Sequence, residues 1–131
     1  MKIHHIGIAV DSLEAAVPVF AKILGCQPKS QEIVEDQRVR VAVFELENSR
    51  IELLEATTPD SPVGRFVTKR GRGIHHLTVT VPDLRAALEQ LSGAGVQPLD
   101  REPRTGADRK QIAFLDPKTT SGILIELVEE K

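Results

Sequence analysis

The chain of 131 residues has no tryptophan and no tyrosine, and only four phenylalanines. Any internal cavity is therefore expected to be lined mainly by aliphatic and polar side chains. A single cysteine, Cys26, excludes an intrachain disulfide framework and a thiolate-built zinc cage, which both need more sulfur. It reads as a small buried hydrophobe. No apolar run approaches the ~20 residues that span a bilayer. The N-terminus enters a strand-like pattern at once (Lys2-Ile3-His4-His5-Ile6), without the apolar stretch and cleavage site of a secretion signal. A cytoplasmic protein with no membrane partner is the expectation. Basic runs are also missing: 17 basic and 19 acidic residues leave a net charge of -2, so no phosphate-backbone footprint is present and nucleic acid is not an expected partner.

What is there suits a globular domain. Apolar residues make up 40% and charged residues 27%, ordinary values for such a chain, and the length is enough for one hydrophobic core. More informative is an internal repeat. Residues 3–16, IHHIGIAVDSLEAA, reappear as residues 74–87, IHHLTVTVPDLRAA, at an offset of 71. Gln27-Pro28 and Phe44 recur as Gln97-Pro98 and Phe114 at an offset of 70, and Ile51-Glu52-Leu53 recurs as Ile125-Glu126-Leu127 at 74. A drift of a few residues is what loop-length changes produce.

Each copy predicts the same element order. Residues 2–10 alternate as a half-buried strand. Asp11 or Ser12 caps a helix carrying Leu13, Ala16, Val17, Phe20 and Leu24, which ends near Gly25 and is expected to kink at Pro18. Strands follow at about 27–35, 38–47 and 49–56. Ser61-Pro62 opens a short connecting helix. The second copy predicts a strand at 73–81, a helix capped by Asp83, and strands near 96–102, 110–115 and 121–128. The expected organisation is one domain over 1–131, with module 1 at about 1–57, a linker helix at about 58–72 and module 2 at about 73–131. The fold class is α+β: two tandem βαβββ modules whose mixed sheets curl around a cavity.

Strand parity then selects side chains. His4, Ile6, Ile8 and Val10 share one face of the first strand, which is expected to pack on the helix. His5, Gly7 and Ala9 share the other. In the second copy His75, Leu77, Val79 and Val81 form the apolar face, and His76 joins Thr78 and Thr80. Glu126 stands inside the apolar run Ile123-Leu124-Ile125-Glu126-Leu127-Val128, and a buried carboxylate is normally paired or bound to a metal. Glu52 holds the equivalent place. If the halves pack about a pseudo-twofold axis, His5, Glu52, His76 and Glu126 meet. Two imidazoles and two carboxylates suit a divalent first-row ion (cobalt, manganese, nickel or zinc) without choosing among them. His4 and His75 read as structural or supporting.

The segments HHIGIAV, IELLEAT, GRGIHHLTV, REPRTGA, FLDPK and GILIELVEE resemble the vicinal-oxygen-chelate (glyoxalase–bleomycin resistance) superfamily, and within it the methylmalonyl-CoA epimerase family, from Ile3 to Glu129. The resemblance implies the paired βαβββ, glyoxalase-like fold around a metal, with His5, His76 and Glu126 as ligands and Glu52 as the fourth, where related epimerases carry Gln or Glu. It also implies an acyl-CoA substrate, a homodimer, and inversion of the carbon between thioester and carboxylate by proton removal and return. Glu126 is then the first candidate acid/base, Glu52 a weaker second, and Glu45 a further possibility if its strand faces inward. Arg104, Arg109, Lys110 and Lys118 are basic loop residues within reach of a carboxylate or CoA phosphates, Lys118 and Arg104 foremost. Three departures stand out. Gly106-Ala107-Asp108-Arg109-Lys110 and Phe114-Leu115-Asp116-Pro117-Lys118 replace GAHGK-like and FLHPK sequences. Asp36-Gln37-Arg38 replaces EQG. Val41 replaces the further Glu that some epimerases carry. A glyoxalase I-like isomerase or lyase, a ring-cleaving dioxygenase and a metal-free drug-binding protein are the competing functions, since one fold hosts many chemistries.

Overall fold

Both copies of the repeat become the same ladder of strands. The structure, a computed structural model, describes residues 1–100, 102–106 and 109–130. Ala107 and Asp108, in the first of the departing loops, thus lie outside the described residues. Backbone contacts divide the chain into two compact units, His5–His75 and, with Met1–His4, His76–Lys131. The first contains β1 (Ile3–Ala9, from His5 on), α1 (Leu13–Leu24), β2 (Ser30–Val34), β3 (Val39–Glu45), β4 (Arg50–Ala56) and α2 (Pro62–Arg70). The second contains β5 (Gly73–Val81, from His76 on), α3 (Leu84–Gly93), β6 (Arg104–Thr105), β7 (Gln111–Phe114) and β8 (Ile125–Glu129). Strands run β2-β3-β4-β1 in one and β6-β7-β8-β5 in the other. In each, the first strand pairs parallel with the last, and the remaining pairs are antiparallel. This α+β arrangement is the glyoxalase-like fold.

The helices start where the caps are. Ser12 accepts a hydrogen bond from the Ala15 N–H at 3.3 Å, and Asp83 accepts one from the Ala86 N–H at 3.1 Å. A second carboxylate reinforces each start from the end of the module. Glu55 accepts from the Leu13 N–H at 2.7 Å, and Glu129 from the Leu84 N–H at 2.9 Å. Gly25, at φ 71°, closes α1 in the left-handed conformation that suits glycine. The helix continues through Pro18. Packing of Leu13, which is buried, and of the partly buried Val17, Phe20 and Leu24 on the fully buried Phe44 and Leu53 outweighs the missing backbone donor, since a fully buried side chain of this kind contributes ~1.5–3 kcal/mol.

That cluster lies between α1 and one face of the first unit's strands. Across the strands, Ala9, Val39, Val41, Val43 and Leu54 pack with Val63, Phe66 and Val67 of α2. The face carrying His5 is therefore closed at its far end by α2, where the sequence alone left it open. Helix α2 sits so close to the preceding turn that a Cβ on Gly64 would lie 2.6 Å from the carbonyl oxygens of Thr58 and Pro59. In the second unit, Val79, Val81, Ala113 and Leu127 pack against Leu84, Leu88 and Leu91 of α3.

Two strand expectations need correction. Among the described residues of 96–102 there is no strand: an isolated bridge joins Pro98 to Leu115, and pairing resumes at Arg104–Thr105. Prolines 98 and 103 lack the N–H that a ladder requires. The last strand begins at Ile125 rather than 121, because Ser121 and Gly122 turn at φ 59° and 85°. Among the described residues, no helix is long and apolar enough to cross a membrane.

Candidate functional site

Parallel pairing of first and last strands places a histidine and a glutamate on one face in each unit. In the first, Gly7 pairs with Glu52, so His5, two residues before Gly7, is the diagonal neighbour of Glu52. The His5 Nδ1 and Glu52 Oε2 atoms are 3.5 Å apart, with side chains 10% and 16% exposed. In the second, Thr78 pairs with Glu126, and His76 Nε2 lies 3.8 Å from Glu126 Oε1 with both side chains about one-tenth exposed. Both separations exceed a hydrogen bond of 2.7–3.2 Å. They approach the ~3 Å between two donor atoms each bound ~2.1 Å from one ion.

The two pairs differ at one atom group. Thr78 donates its hydroxyl to Glu126 Oε1 at 2.6 Å. At the equivalent position Gly7 has no side chain to offer Glu52. Burial pushes the Glu126 carboxyl above its ordinary value, while the Thr78 hydrogen bond and the Arg104 charge pull it part of the way back. Phe114, paired with Glu126 across β7 and β8, meets the His76 ring edge-on with centroids 6.2 Å apart. Arg104 stacks on the other partner of this group, its guanidinium 5.5 Å from the Phe114 centroid, and contacts Asp100 at 3.4 Å. Lys118 is exposed on a 3-10 turn, Pro117–Thr119, pinned by Asp116.

His75 takes a different environment from His76: it meets Phe66 edge-on at 4.9 Å, and burial holds its imidazole below the usual value. His4 is partly buried. Val41 is buried among Ala9, Leu54 and Val63, so that position supplies no acid. Glu45 shares the His5 face by parity, yet it is exposed and holds Lys29 at 3.1 Å and Arg50 at 3.4 Å. Hydrogen bonding to Lys29, first of all, keeps its carboxyl below the ordinary range. A cleft of about 620 Å³ lies on the α1 side, lined by residues such as Ser12, Arg40 and Glu55. It includes neither His5 nor Glu52; of its three acids, Glu14, Glu32 and Glu55, the last already caps α1.

Whether these residues suit a metal follows from what is buried. Among the described residues the buried polar side chains are His5, Ser61, His76, Thr78, Thr80 and Glu126. Ser61 caps α2, Thr80 accepts from the Lys2 N–H and Thr78 serves Glu126. The other three are all metal-ligand types, and imidazole with carboxylate is the donor set of divalent first-row ions. The donor chemistry fits. Strand parity and the repeat had singled out all three, along with Glu52. The Lys29–Glu45–Arg50 group escaped notice, although Arg50 precedes Glu52 by two residues and so shares its face.

Comparison with known proteins gives the family. The profile of the glyoxalase/bleomycin resistance protein/dioxygenase superfamily matches residues 4–114. The chain is 44% identical to protein YqjC of Bacillus subtilis, covering 99% of this chain and 93% of that one. It is 38% identical to the ethylmalonyl-CoA/methylmalonyl-CoA epimerase of Cereibacter sphaeroides, covering 96% of each. A solved methylmalonyl-CoA epimerase in complex with methylmalonyl-CoA and ammonium superposes with a TM-score of 0.90 at 36% identity, over 98% of this chain and 93% of that one. With its paired His–Glu diagonals and these likenesses along its length, the chain belongs to the glyoxalase/bleomycin resistance protein/dioxygenase superfamily, in its methylmalonyl-CoA epimerase branch.

Proposed function

We propose that the protein is a divalent-metal-dependent epimerase that interconverts (R)- and (S)-methylmalonyl-CoA, with His5, Glu52, His76 and Glu126 as ligands of one ion. The observation that carries this reading is Glu126: a buried carboxylate beside the His76 imidazole, in a chain similar to named epimerases over nearly its whole length. A base for a carbon acid must be held against its substrate away from bulk water, and the buried position of Glu126 on β8 provides that placement. Cobalt, manganese, nickel and zinc all suit the donors.

A bound divalent ion would supply Lewis-acid stabilisation of the negative charge that develops on the thioester oxygen. The chain's own residues supply the proton chemistry. Glu126 takes the α proton; the C–H electron pair moves into the thioester, leaving a planar enediolate. A solvent-derived proton relayed past Glu52, the weaker second candidate, reaches the opposite face, and exchange of the Glu126 proton with solvent resets the site. Glu45 is unsuited to that second role, because its ion pairs with Lys29 and Arg50 favour the charged form. Arg104, whose charge already acts on Glu126, is the better supported of the two basic substrate contacts, and Lys118 the weaker. A homodimer belongs to the same reading, since β2 and β6 end their ladders and offer edges for a partner.

The test is turnover of chirally pure methylmalonyl-CoA in deuterium oxide by tag-free, metal-assayed protein. Inversion with one deuterium at the α carbon is the expected result. Isomerisation of glutathione hemithioacetal without any inversion would move the protein to the glyoxalase I-like reaction, and bound drug with neither turnover nor metal would make it a binding protein.

A further inference from the structure

The strand rows that pass through Glu52 and Glu126 are built differently. In the second unit Glu126 on β8 lies between Thr78 on β5 and Phe114 on β7. In the first unit the corresponding row places Glu52 between Gly7 and Val43. Strand register thus makes Val43 the counterpart of Phe114, although the sequence repeat aligns Phe44 with it. Thr78 is 1% exposed, and its β-branched side chain has few rotamers open to it. Its hydroxyl donates to Glu126 Oε1 at 2.6 Å, the length of a charge-assisted bond. That same oxygen faces His76 Nε2 at 3.8 Å. On the other flank of Glu126 stands Phe114, whose ring meets the His76 imidazole edge-on.

We infer that Thr78 is a positioning residue for the metal centre: its hydroxyl fixes the carboxylate of Glu126 so that Oε1 and His76 Nε2 stand as a ligand pair before an ion arrives. The inference rests on the reading of His76 and Glu126 as metal ligands given above. The terminal torsion of a glutamate is broad, so orienting its carboxylate costs conformational entropy. A hydrogen bond made in advance takes that cost out of the binding step, which tightens the site without adding a ligand. An ionised carboxylate only accepts hydrogen bonds, and a hydroxyl is a donor that adds no charge to the site. The sheet supplies this hold in one unit and not the other: at the positions flanking Glu52, Gly7 has no side chain and Val43 has no polar atom. The duplicated pairs therefore differ in preparation while sharing their ligand types, and ion capture should depend on a threonine that touches no substrate.

Calorimetric titration of chelator-stripped, full-length protein with cobalt(II) tests this without requiring turnover. Thr78→Val keeps the shape and removes the hydroxyl, and should weaken cobalt binding about 10-fold or more. Thr78→Ser, which restores the donor, should recover most of the loss. Thr80→Val is the control for structural damage. Thr80 is equally buried on the same strand, but its hydroxyl serves the Lys2 backbone, so that variant should lose stability in chemical denaturation and leave cobalt affinity unchanged. Thr78→Ala replaces Thr78→Val if the latter does not fold, with the same loss expected. Wild-type affinity in the hydroxyl-free variant, or equal weakening in all three threonine variants, overturns the inference, as does a wild type that binds no cobalt. If wild type binds cobalt and shows this dependence on Thr78 but never inverts methylmalonyl-CoA, the epimerase reading fails and the positioning role stands.

Discussion

Two glutamates, Glu126 on β8 and Glu45 on β3, are tuned in opposite directions, and each has its own consequence. Glu126 is buried and its neutral form is favoured. Glu126→Gln keeps the size and the Thr78 contact while removing the base, so turnover should fall ~10²–10⁴-fold with the secondary structure intact; wild-type rates in that variant would end its role as base. Glu45 is exposed and its charged form is favoured, chiefly by Lys29. Its folded carboxyl ionises more readily than its unfolded one, so the stabilisation is present above the ordinary Glu pKa of ~4.3 and is lost as pH falls through the lower folded value. Melting temperature should therefore drop more steeply below pH ~4.5 in wild type than in Glu45→Gln, with the difference shrinking at high salt. Parallel curves would show that the Lys29 and Arg50 contacts do not persist in solution. Both ligand-type pairs were legible from the repeat, because the same residue types return at the same strand positions. Arg50 was not, because a basic residue beside a turn has no periodic signature.

Strands and helices were legible wherever alternation or a cap announced them. The span 73–81 was placed to the residue, and Ser12 and Asp83 mark the starts of α1 and α3. The strand expected at 96–102 was the failure: the element order of the repeat argued for it, while Pro98 and Pro103 left the backbone without donors. Capping by Glu55 and Glu129 was hidden for another reason. Each reaches a helix start more than 40 residues away, and only the equivalence of the two positions in the repeat hinted at a shared task. Each carboxylate meets the positive end of a helix as well as one N–H. Glu55→Ala or Glu129→Ala should cost ~1–2 kcal/mol by chemical denaturation, with the metal content unchanged. No loss in either would reduce these contacts to incidental ones.

At the level of the molecule, the duplicated sequence offers one His–Glu pair per unit, and the proposal is that a single ion takes both. Elemental analysis should then find one equivalent per chain. Chelation should lower the melting temperature by ~5–10 °C, the shift expected when a ligand held at ~100 times its Kd is removed. Glu52→Ala and Glu126→Ala should each abolish most of that shift. Two equivalents per chain, or a melting curve indifferent to chelator, would mean that the pairs act apart. The fold class was the most legible property of all, since it follows from element order and from the repeat rather than from any single side chain.

Parallel pairing of outer elements also dictates when each half can form. Ile6 pairs with Ile51, 45 positions on, and Leu77 with Ile125, 48 positions on. The opening strand of either repeat thus leaves the ribosome long before its mate exists and must wait, unzipped, through the synthesis of a helix and two hairpin strands. Closing so long a loop costs entropy before any ladder repays it. The histidine-bearing strands accordingly stand without their parallel mates while the rest of each module is made.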